Sequence, residues 1–230
     1  MTNPVKTIKF RTSKSIGTMT PAPDSNLKLK KQRDVLMIAG PSGSGKSTYL
    51  GSYVKNYNII YPKNNVFVFS GVSQDSAIDD LGVDVRRIVL DDTFCERQES
   101  EYPITVADFQ DSLVIFDDTD TIRNNQAREL VFGLREELLQ TGRHTNTCMA
   151  VTSHHFMNYG LTRTLNMEST CVTFFPKSGG LAQIKKYLQT YVGLDKDQIN
   201  KLTKLPSRWV TVSKTYPLYA FYEGGAFLLD

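Results

Sequence analysis

Short uninterrupted apolar runs recur along the chain and are separated by longer polar or amphipathic segments. Runs that lack a polar residue at every second position are typical of strands covered on both faces. They predict core strands at 35–39, 66–69, 113–116, 147–152 and 171–175, and a shorter strand at 87–90. Two further runs near the carboxyl terminus, 209–212 and 218–222, predict a β-hairpin.

Amphipathic helices are predicted between these strands. In the segment 125–140, Leu130, Leu134 and Leu138 recur at every fourth position, and Gly142 follows as a suitable C-cap. Further helices are predicted at 48–56, 181–191 and 195–205, the last with Asp195 as its N-cap. The polar stretch 94–103 is predicted to be a loop. Strands that alternate with helices indicate an α/β fold with a mostly parallel sheet and helices on both faces.

Residues 1–33 differ in composition from the rest of the chain. Eight Lys and Arg residues face one acid there, Asp24, and large apolar residues are few. Such a segment buries too little apolar surface to order itself alone. We predict a basic, flexible N-terminal arm at 1–33, which either contacts nucleic acid or a partner or is a solvated tail. A single domain is predicted at 34–230.

The overall composition narrows the class of protein. A chain of 230 residues with 40% apolar and 22% charged residues is ordinary for a globular domain, and a net charge of +3 permits a nucleic-acid partner without requiring one. No apolar run approaches the roughly 20 residues of a membrane-spanning helix, and the first residues carry no apolar h-region, so no secretory signal is expected. Cys95, Cys148 and Cys171 lack metal-ligand spacing and predict reduced, mostly buried thiols.

A G-x-x-x-x-G-K-S motif at 40–47 follows the first predicted strand and opens a predicted helix. Its glycines allow backbone N–H groups to approach phosphates, and the amino terminus of the helix adds its dipole. Nucleotide binding is therefore predicted for Gly40, Pro41, Ser42, Gly43, Ser44, Gly45, Lys46, Ser47 and Thr48. Lys46 is expected to contact the β- and γ-phosphates of ATP from an exposed loop, and Ser47 to offer its hydroxyl to Mg²⁺.

The strand predicted at 113–116 ends in two acids, Asp117 and Asp118, which is the Walker B pattern. We expect this strand to lie directly beside the first strand, so that its acids reach the nucleotide. Asp117 is assigned to Mg²⁺, and Asp118 to orienting or deprotonating the attacking water. Asp120 is the alternative base.

Polar residues also follow the strand at 147–152. A polar side chain at this position can sense the γ-phosphate, and His154 is the first candidate for that role, with Ser153 as the second. Adjacent residues on an extended chain point in opposite directions, so His154 and His155 are not expected to bind one metal ion together. The alternative is that both histidines only pack or form hydrogen bonds.

Taken together, these motifs resemble the viral genome-packaging ATPases of the HerA/FtsK superfamily, of the type found in large eukaryotic DNA viruses, virophages and viruses with an internal membrane. The resemblance rests on GPSGSGKST at 40–48, LVIFDD at 113–118, TGRHTNTCMAVTSHH at 141–155 and CVTFFP at 171–176. It implies a P-loop fold of the additional-strand, RecA-like class. Two positions depart from the family pattern: His154 replaces a frequent Gln or Asn, and Asp118 replaces Glu.

The resemblance also implies an activity and partners. It implies a ring, expected to be a hexamer, that hydrolyses ATP with Mg²⁺ and drives double-stranded DNA into a preformed capsid. Arg143 matches the arginine that reaches the nucleotide of the neighbouring subunit in this superfamily. The implied partners are capsid or inner-membrane vertex proteins, and the implied location is the host cytoplasm, the viral factory or the virion.

Two other classes of protein share the phosphate loop. A small-molecule or nucleotide kinase would need an arginine-rich lid, for which Arg86, Arg87 and Arg97 are the candidates. A non-catalytic nucleotide-binding protein would need neither Asp118 nor Arg143. The loops that would grip DNA are left open between 94–103 and 177–180.

Overall fold

Nine strands form a single mixed sheet in the computed structural model, which describes residues 21–23 and 33–229. The strands are β1 (Val35–Ala39), β2 (Asn65–Ser70), β3 (Val85–Val89), β4 (Ser112–Asp117), β5 (Cys148–Ser153), β6 (Cys171–Phe174), β7 (Val210–Ser213), β8 (Tyr219–Tyr222) and β9 (Gly225–Leu228). The helices are α1 (Lys46–Ile60), α2 (Ser76–Asp79), α3 (Asp92–Gln98), α4 (Asn125–Thr141), α5 (Tyr159–Glu168), α6 (Leu181–Tyr187) and α7 (Lys196–Thr203). Short 3₁₀ turns precede and follow β4, and α6 continues as a π-helical turn, Leu188–Val192.

The strand order is β3-β2-β4-β5-β1-β6-β7-β8-β9. The first six strands in this order are parallel, and β7, β8 and β9 continue the sheet in antiparallel fashion. The predicted α/β fold with a mostly parallel sheet and a carboxyl-terminal hairpin is therefore confirmed. The hairpin gains a third strand, β9, which was not predicted.

One prediction about strand neighbours is wrong. The acid-bearing strand β4 does not lie beside β1, because β5 pairs with both of them and separates them. Every residue of β5 is buried, as expected for a strand at the centre of a sheet covered on both faces. An inserted strand at this position is the feature that defines the predicted additional-strand class.

Alternate residues of the central strands face two separate cores. Val35 and Met37 of β1 join the core beneath α4, α5 and α6, whereas Leu36 and Ile38 join the core beneath α1. The α1 core is unusually rich in tyrosine, with Tyr49, Tyr53 and Tyr57 all buried. Continuous apolar runs in the sequence thus reflect helices on both faces of the sheet.

The boundary between the predicted arm and the domain lies before Arg33. This residue was counted in the arm, but it is buried, and its guanidinium donates to the carbonyls of Leu138 at 2.7 Å and of Leu139. Gly142 is needed beside it, because a Cβ at that position would collide with the guanidinium. Apart from residues 21–23, the rest of the predicted arm lies outside the described residues.

Two helices were not predicted. The stretch 94–103, predicted as a loop, begins inside α3, whose N-cap Asp91 accepts a hydrogen bond from the Phe94 amide at 3.1 Å. Helix α5 is the second. By contrast, Asp195 caps α7 as predicted and accepts from the amides of residues 197 and 198 at 2.8 Å. None of the three cysteines forms a disulfide bond within the described part of the chain, and two of them are buried, as predicted.

Candidate active site

The phosphate-loop motif connects the carboxyl end of β1 to the amino terminus of α1. Gly43 and Gly45 have φ angles of +73° and +104°, a left-handed conformation that strains any other residue. At Gly40 a Cβ would lie 2.9 Å from the ring of Phe175, so this position also requires glycine. No side chain of the described residues caps α1, and its first N–H groups are therefore available for an anion.

Lys46 is less exposed than the sequence suggested. Its side chain is only 7% exposed, and its amine donates to the carbonyl of Gly40 at 3.2 Å. The same amine lies 3.4 Å from Nδ1 of His154 and 3.7 Å from Oδ1 of Asp118. The phosphate-loop lysine is thus in contact with both residues that sequence reasoning assigned to the γ-phosphate end of the site.

Asp117 and Asp118 follow each other at the carboxyl end of β4 but have different environments. Asp117 is the last strand residue and is buried, whereas Asp118 is partly exposed and has a φ angle of +44°. This left-handed backbone turns the second carboxylate towards the phosphate loop instead of continuing the strand. Two adjacent acids can therefore face the same site, which an extended chain would not allow.

Thr152, the next-to-last residue of β5, joins the two acids. Its hydroxyl lies 2.9 Å from Oδ1 of Asp117 and 3.0 Å from Oδ1 of Asp118, to either of which it can donate. It also accepts a hydrogen bond from the Asp118 amide at 2.7 Å. One buried hydroxyl thus contacts both carboxylates and fixes the turn between them.

Burial raises the pKa of Asp117 above its ordinary value, and the nearby charge of Asp118 acts in the same direction, whereas the hydrogen bond from Thr152 opposes the shift. A carboxylate held in such a place is costly unless a cation approaches it. Ser47 and Asp117 line the same cleft and supply hydroxyl and carboxylate oxygens, the ligand type that Mg²⁺ prefers. These residues therefore fit the predicted Mg²⁺ site.

His154 lies between the lysine and the second acid. Its Nε2 is 3.2 Å from Oδ2 of Asp118, while its Nδ1 faces the Lys46 amine. An imidazole with its proton on Nε2 satisfies both contacts, because it donates to the carboxylate and accepts from the lysine. The geometry therefore brings His154 into contact with both Lys46 and Asp118.

Ser153 and Asp120 have a different role in the geometry. The hydroxyl of Ser153 donates to Oδ2 of Asp120 at 3.0 Å, and the backbone amide of His154 donates to the same oxygen at 3.1 Å. Asp120 thus holds the end of β5. Because the Ser153 hydroxyl is used in this contact while the His154 ring contacts Lys46 and Asp118, the geometry favours His154 over Ser153 as the sensor. Ligand atoms of Asp118, Asp120 and His154 lie within 4.8 Å of one another, so this cluster could also hold a metal ion.

The phosphate loop separates two open clefts. The first, of about 780 Å³, contains Ser47 and five carboxylates, those of Asp75, Asp91, Asp92, Asp117 and Asp118. The second, of about 400 Å³, lies on the other side of the loop next to Thr48, Phe175 and Trp209. A nucleoside triphosphate on the loop would have polar surroundings at its γ-phosphate and an aromatic cleft near its base.

Arg143 lies far from this cluster. It is exposed in the turn that precedes β5, at the amino-terminal edge of the sheet, and forms no ion pair or hydrogen bond through its side chain with the described part of the chain. Strand β5 has six residues, so roughly 17 Å separates its two ends. Arg143 therefore does not reach the phosphate loop of its own subunit.

Sequence reasoning missed Thr152 as a site residue. The signal was present, because Thr152 ends the apolar run 148–151 of a core strand and directly precedes the sensor candidates. Recognising its role required knowing that β5 pairs with β4, in a register that matches Phe116 with Val151 and so places Thr152 next to Asp117.

Fold and site together define the class: this is a P-loop NTPase with the additional strand.

Comparison with known proteins identifies a viral relative. No protein-family model matches the chain. The uncharacterized protein V3 of Sputnik virophage is 43% identical over 196 residues, which cover 84% of this chain and 76% of V3. The chain belongs to the same family as V3.

Solved structures share the fold at low sequence identity. The genome packaging NTPase B204 of Sulfolobus turreted icosahedral virus 2, solved in complex with AMPPCP, matches with a TM-score of 0.52 and 13% identity over 86% of this chain and 97% of B204. The cytoplasmic domain of the type VII secretion ATPase EccC of Thermomonospora curvata matches with a TM-score of 0.53 and 16% identity over 85% of this chain and 26% of that one. The resemblance to viral packaging ATPases is thus confirmed at the level of the fold. No helix in the described ranges, 21–23 and 33–229, is long and apolar enough to span a bilayer.

Proposed function

We propose that the protein hydrolyses ATP with Mg²⁺ and uses the energy to move double-stranded DNA into a preformed viral capsid. The observation that carries the hydrolytic part is the cluster of Lys46, Asp118 and His154 beside the phosphate loop. The viral setting is supported by the kinship with V3, and packaging by the fold shared with B204. Capsid or inner-membrane vertex proteins are the partners that this role requires, in the host cytoplasm, viral factory or virion.

The position of each site residue suggests its role in hydrolysis. The backbone of the phosphate loop and the Lys46 amine bind the phosphates, which places the γ-phosphate near Asp118 and His154. Ser47 and Asp117 would hold Mg²⁺, which neutralises charge on the β- and γ-phosphates when bound. Asp118 orients the attacking water and accepts its proton, and His154 holds the Asp118 carboxylate in place.

The test measures phosphate release from ATP in the presence and absence of long double-stranded DNA. Turnover should need no phosphoacceptor, should rise with DNA, and should disappear in Lys46→Ala. This variant also removes a partner of Asp118, so its folding is checked by circular dichroism. Transfer of phosphate to a small molecule, with no release to water, would instead identify a kinase. Arg87, one of the lid candidates, is already fixed by an ion pair with Asp79 at 2.7 Å.

The proposal includes a ring in which Arg143 serves the neighbouring subunit. A guanidinium is always charged and can bind two phosphate oxygens, which suits charge that moves in the transition state. Arg143 is exposed and lies at the edge of the sheet opposite its own phosphate loop. An arginine supplied from a neighbour in this way is worth on the order of 10³–10⁵ in rate.

Mixing two inactive variants tests this arrangement. Arg143→Ala and Lys46→Ala should each be inactive alone, whereas a mixed ring contains boundaries that pair an intact Lys46 site with an intact Arg143. Partial ATPase activity should therefore return on mixing. Co-assembly is followed with differently tagged subunits, and mixed rings without any recovered activity would show that Arg143 does not act in trans.

A further inference from the structure

Helices α6 and α7 form the walls of a groove on the face of the sheet opposite α1. The groove has a volume of about 460 Å³ and is hereafter called the basic groove. Lys185 and Lys186 line it from α6, and Lys196 lines it from α7, with Gln189 and Asn200 between them. No acidic residue within 33–229 contributes to its lining.

Positive charge is concentrated here in an otherwise acidic body. The stretch 33–229 contains 20 Lys and Arg against 22 Asp and Glu, whereas residues 181–204 contain five lysines and two aspartates. Asp195, one of those two, already accepts hydrogen bonds from the first amides of α7. The groove therefore attracts anions although the rest of the folded chain repels them.

The lysines of the groove are available to a ligand. Lys185, Lys186 and Lys196 are exposed, and none of them forms an ion pair or hydrogen bond with the residues that the structure describes. Lys201, on another side of α7, instead lies over the ring of Phe227 at 4.2 Å. Lys204, the C-cap of α7, is not part of the groove lining.

We propose that the basic groove binds the phosphate backbone of double-stranded DNA, an inference that rests on the proposed function. Lysine ammonium groups recognise phosphates as point charges and read no base sequence. That property suits an enzyme that must move DNA of any sequence. The groove also lies close in the chain to the nucleotide site, because Phe175 packs against the phosphate loop and α6 begins at Leu181.

The test compares two double variants that remove equal charge. Lys185→Gln/Lys196→Gln takes one lysine from each wall of the basic groove, and Lys55→Gln/Lys63→Gln takes two exposed lysines from the α1 side of the sheet. Binding to a labelled DNA duplex is measured by fluorescence anisotropy over a series of salt concentrations. The slope of log Kobs against log salt is negative, and its magnitude should decrease by about 1.8 per contacting subunit in the groove variant, because each lost phosphate contact accounts for about 0.9. The control variant should keep the wild-type slope.

Further measurements separate the possible failures. ATPase activity without DNA should be the same in the wild type and both variants, since none of these lysines lies in the active site. Equal slopes in the two variants would overturn the groove proposal and leave DNA translocation standing. Absence of duplex binding by the active wild-type enzyme would overturn both. If the groove variant loses binding to phosphatidylserine vesicles but binds DNA like the wild type, the groove contacts a membrane, and the proposal is overturned as well.

Discussion

Thr152→Val removes one hydroxyl from the centre of the candidate site with almost no change in shape. Thr152 is only 1% exposed, and its hydroxyl contacts the carboxylates of Asp117 and Asp118 and the amide of Asp118. A hydrogen bond to a charged group contributes about 1.5–3 kcal/mol to stability, so the free energy of unfolding should fall by about that amount. The loss is measured by urea denaturation.

The effect on turnover should be larger than the effect on stability. Without the hydroxyl, the left-handed turn at Asp118 loses the partner of its amide, and the carboxylate is no longer fixed towards the phosphate loop. A displacement of about 1 Å can cost about 10²-fold in rate, so kcat should fall by about that factor. The affinity for ATP, measured with a fluorescent analogue, should change little because the phosphate loop is untouched.

Two further variants provide the controls. Thr152→Ser keeps the hydroxyl and loses a methyl group, so it should lose about 0.5–1.5 kcal/mol of stability and retain turnover within a few-fold. Thr173→Val removes a buried hydroxyl on β6 that pairs with Thr211 at 2.8 Å, away from the acids. It should lose stability but not activity. The reasoning is refuted if Thr152→Val turns over like the wild type, or if Thr173→Val loses as much activity.

The other predictions concern charge. Burial lowers the pKa of Lys214 to about 8, and its amine donates to the carbonyl of Asn166 at 2.6 Å. Below pH 8 the lysine is charged in both the folded and the unfolded state. Between about pH 8 and about 10.4 it is neutral in the folded state but still charged in the unfolded state. The wild type should therefore gain stability relative to Lys214→Met as the pH rises through that window, as measured by denaturation at both ends. At the active site, Asp118→Asn should bind Mg²⁺·ATP without hydrolysing it, whereas Asp117→Asn should lose the Mg²⁺ dependence of binding; identical nucleotide titrations would contradict the assigned roles.

The parts of the fold that were predicted correctly are those in which burial follows a simple period. Helix α4 buries Val131, Leu134 and Leu138 and shows as a stripe in the sequence. Helix α5 buries Thr162 and Asn166 as well as Leu165, and both polar side chains form hydrogen bonds to the carbonyl of Phe156. With ten residues, and only Leu161 and Leu165 at helical spacing among its large aliphatic side chains, this helix shows too short an apolar stripe to be recognised in the sequence.

The residues of the candidate site likewise fall into those that the sequence predicted and one that it did not. The positions of Lys46, Asp117, Asp118 and His154 followed from motifs, because each motif lies at the carboxyl end of a strand and those ends share one edge. Thr152 did not follow, and its omission has the same origin as the wrong strand neighbour. If β4 lay beside β1, β5 would not lie between the acids and the phosphate loop. Because β5 lies between β4 and β1, Thr152 is next to Asp117. Strand order depends on which faces pack together across the whole chain, and local patterns do not contain it.

The two edges of the sheet differ from each other, and this difference supports the proposed ring. A ring of identical subunits needs two different surfaces that complement each other, because each subunit contacts its two neighbours head to tail. The carboxyl edge of the sheet has a cleft with five carboxylates. The amino edge presents Arg143 without a partner among the described residues. A head-to-tail contact that joins these two edges would bring Arg143 to the neighbour's cleft at every boundary of a closed ring, which a two-fold dimer does not form.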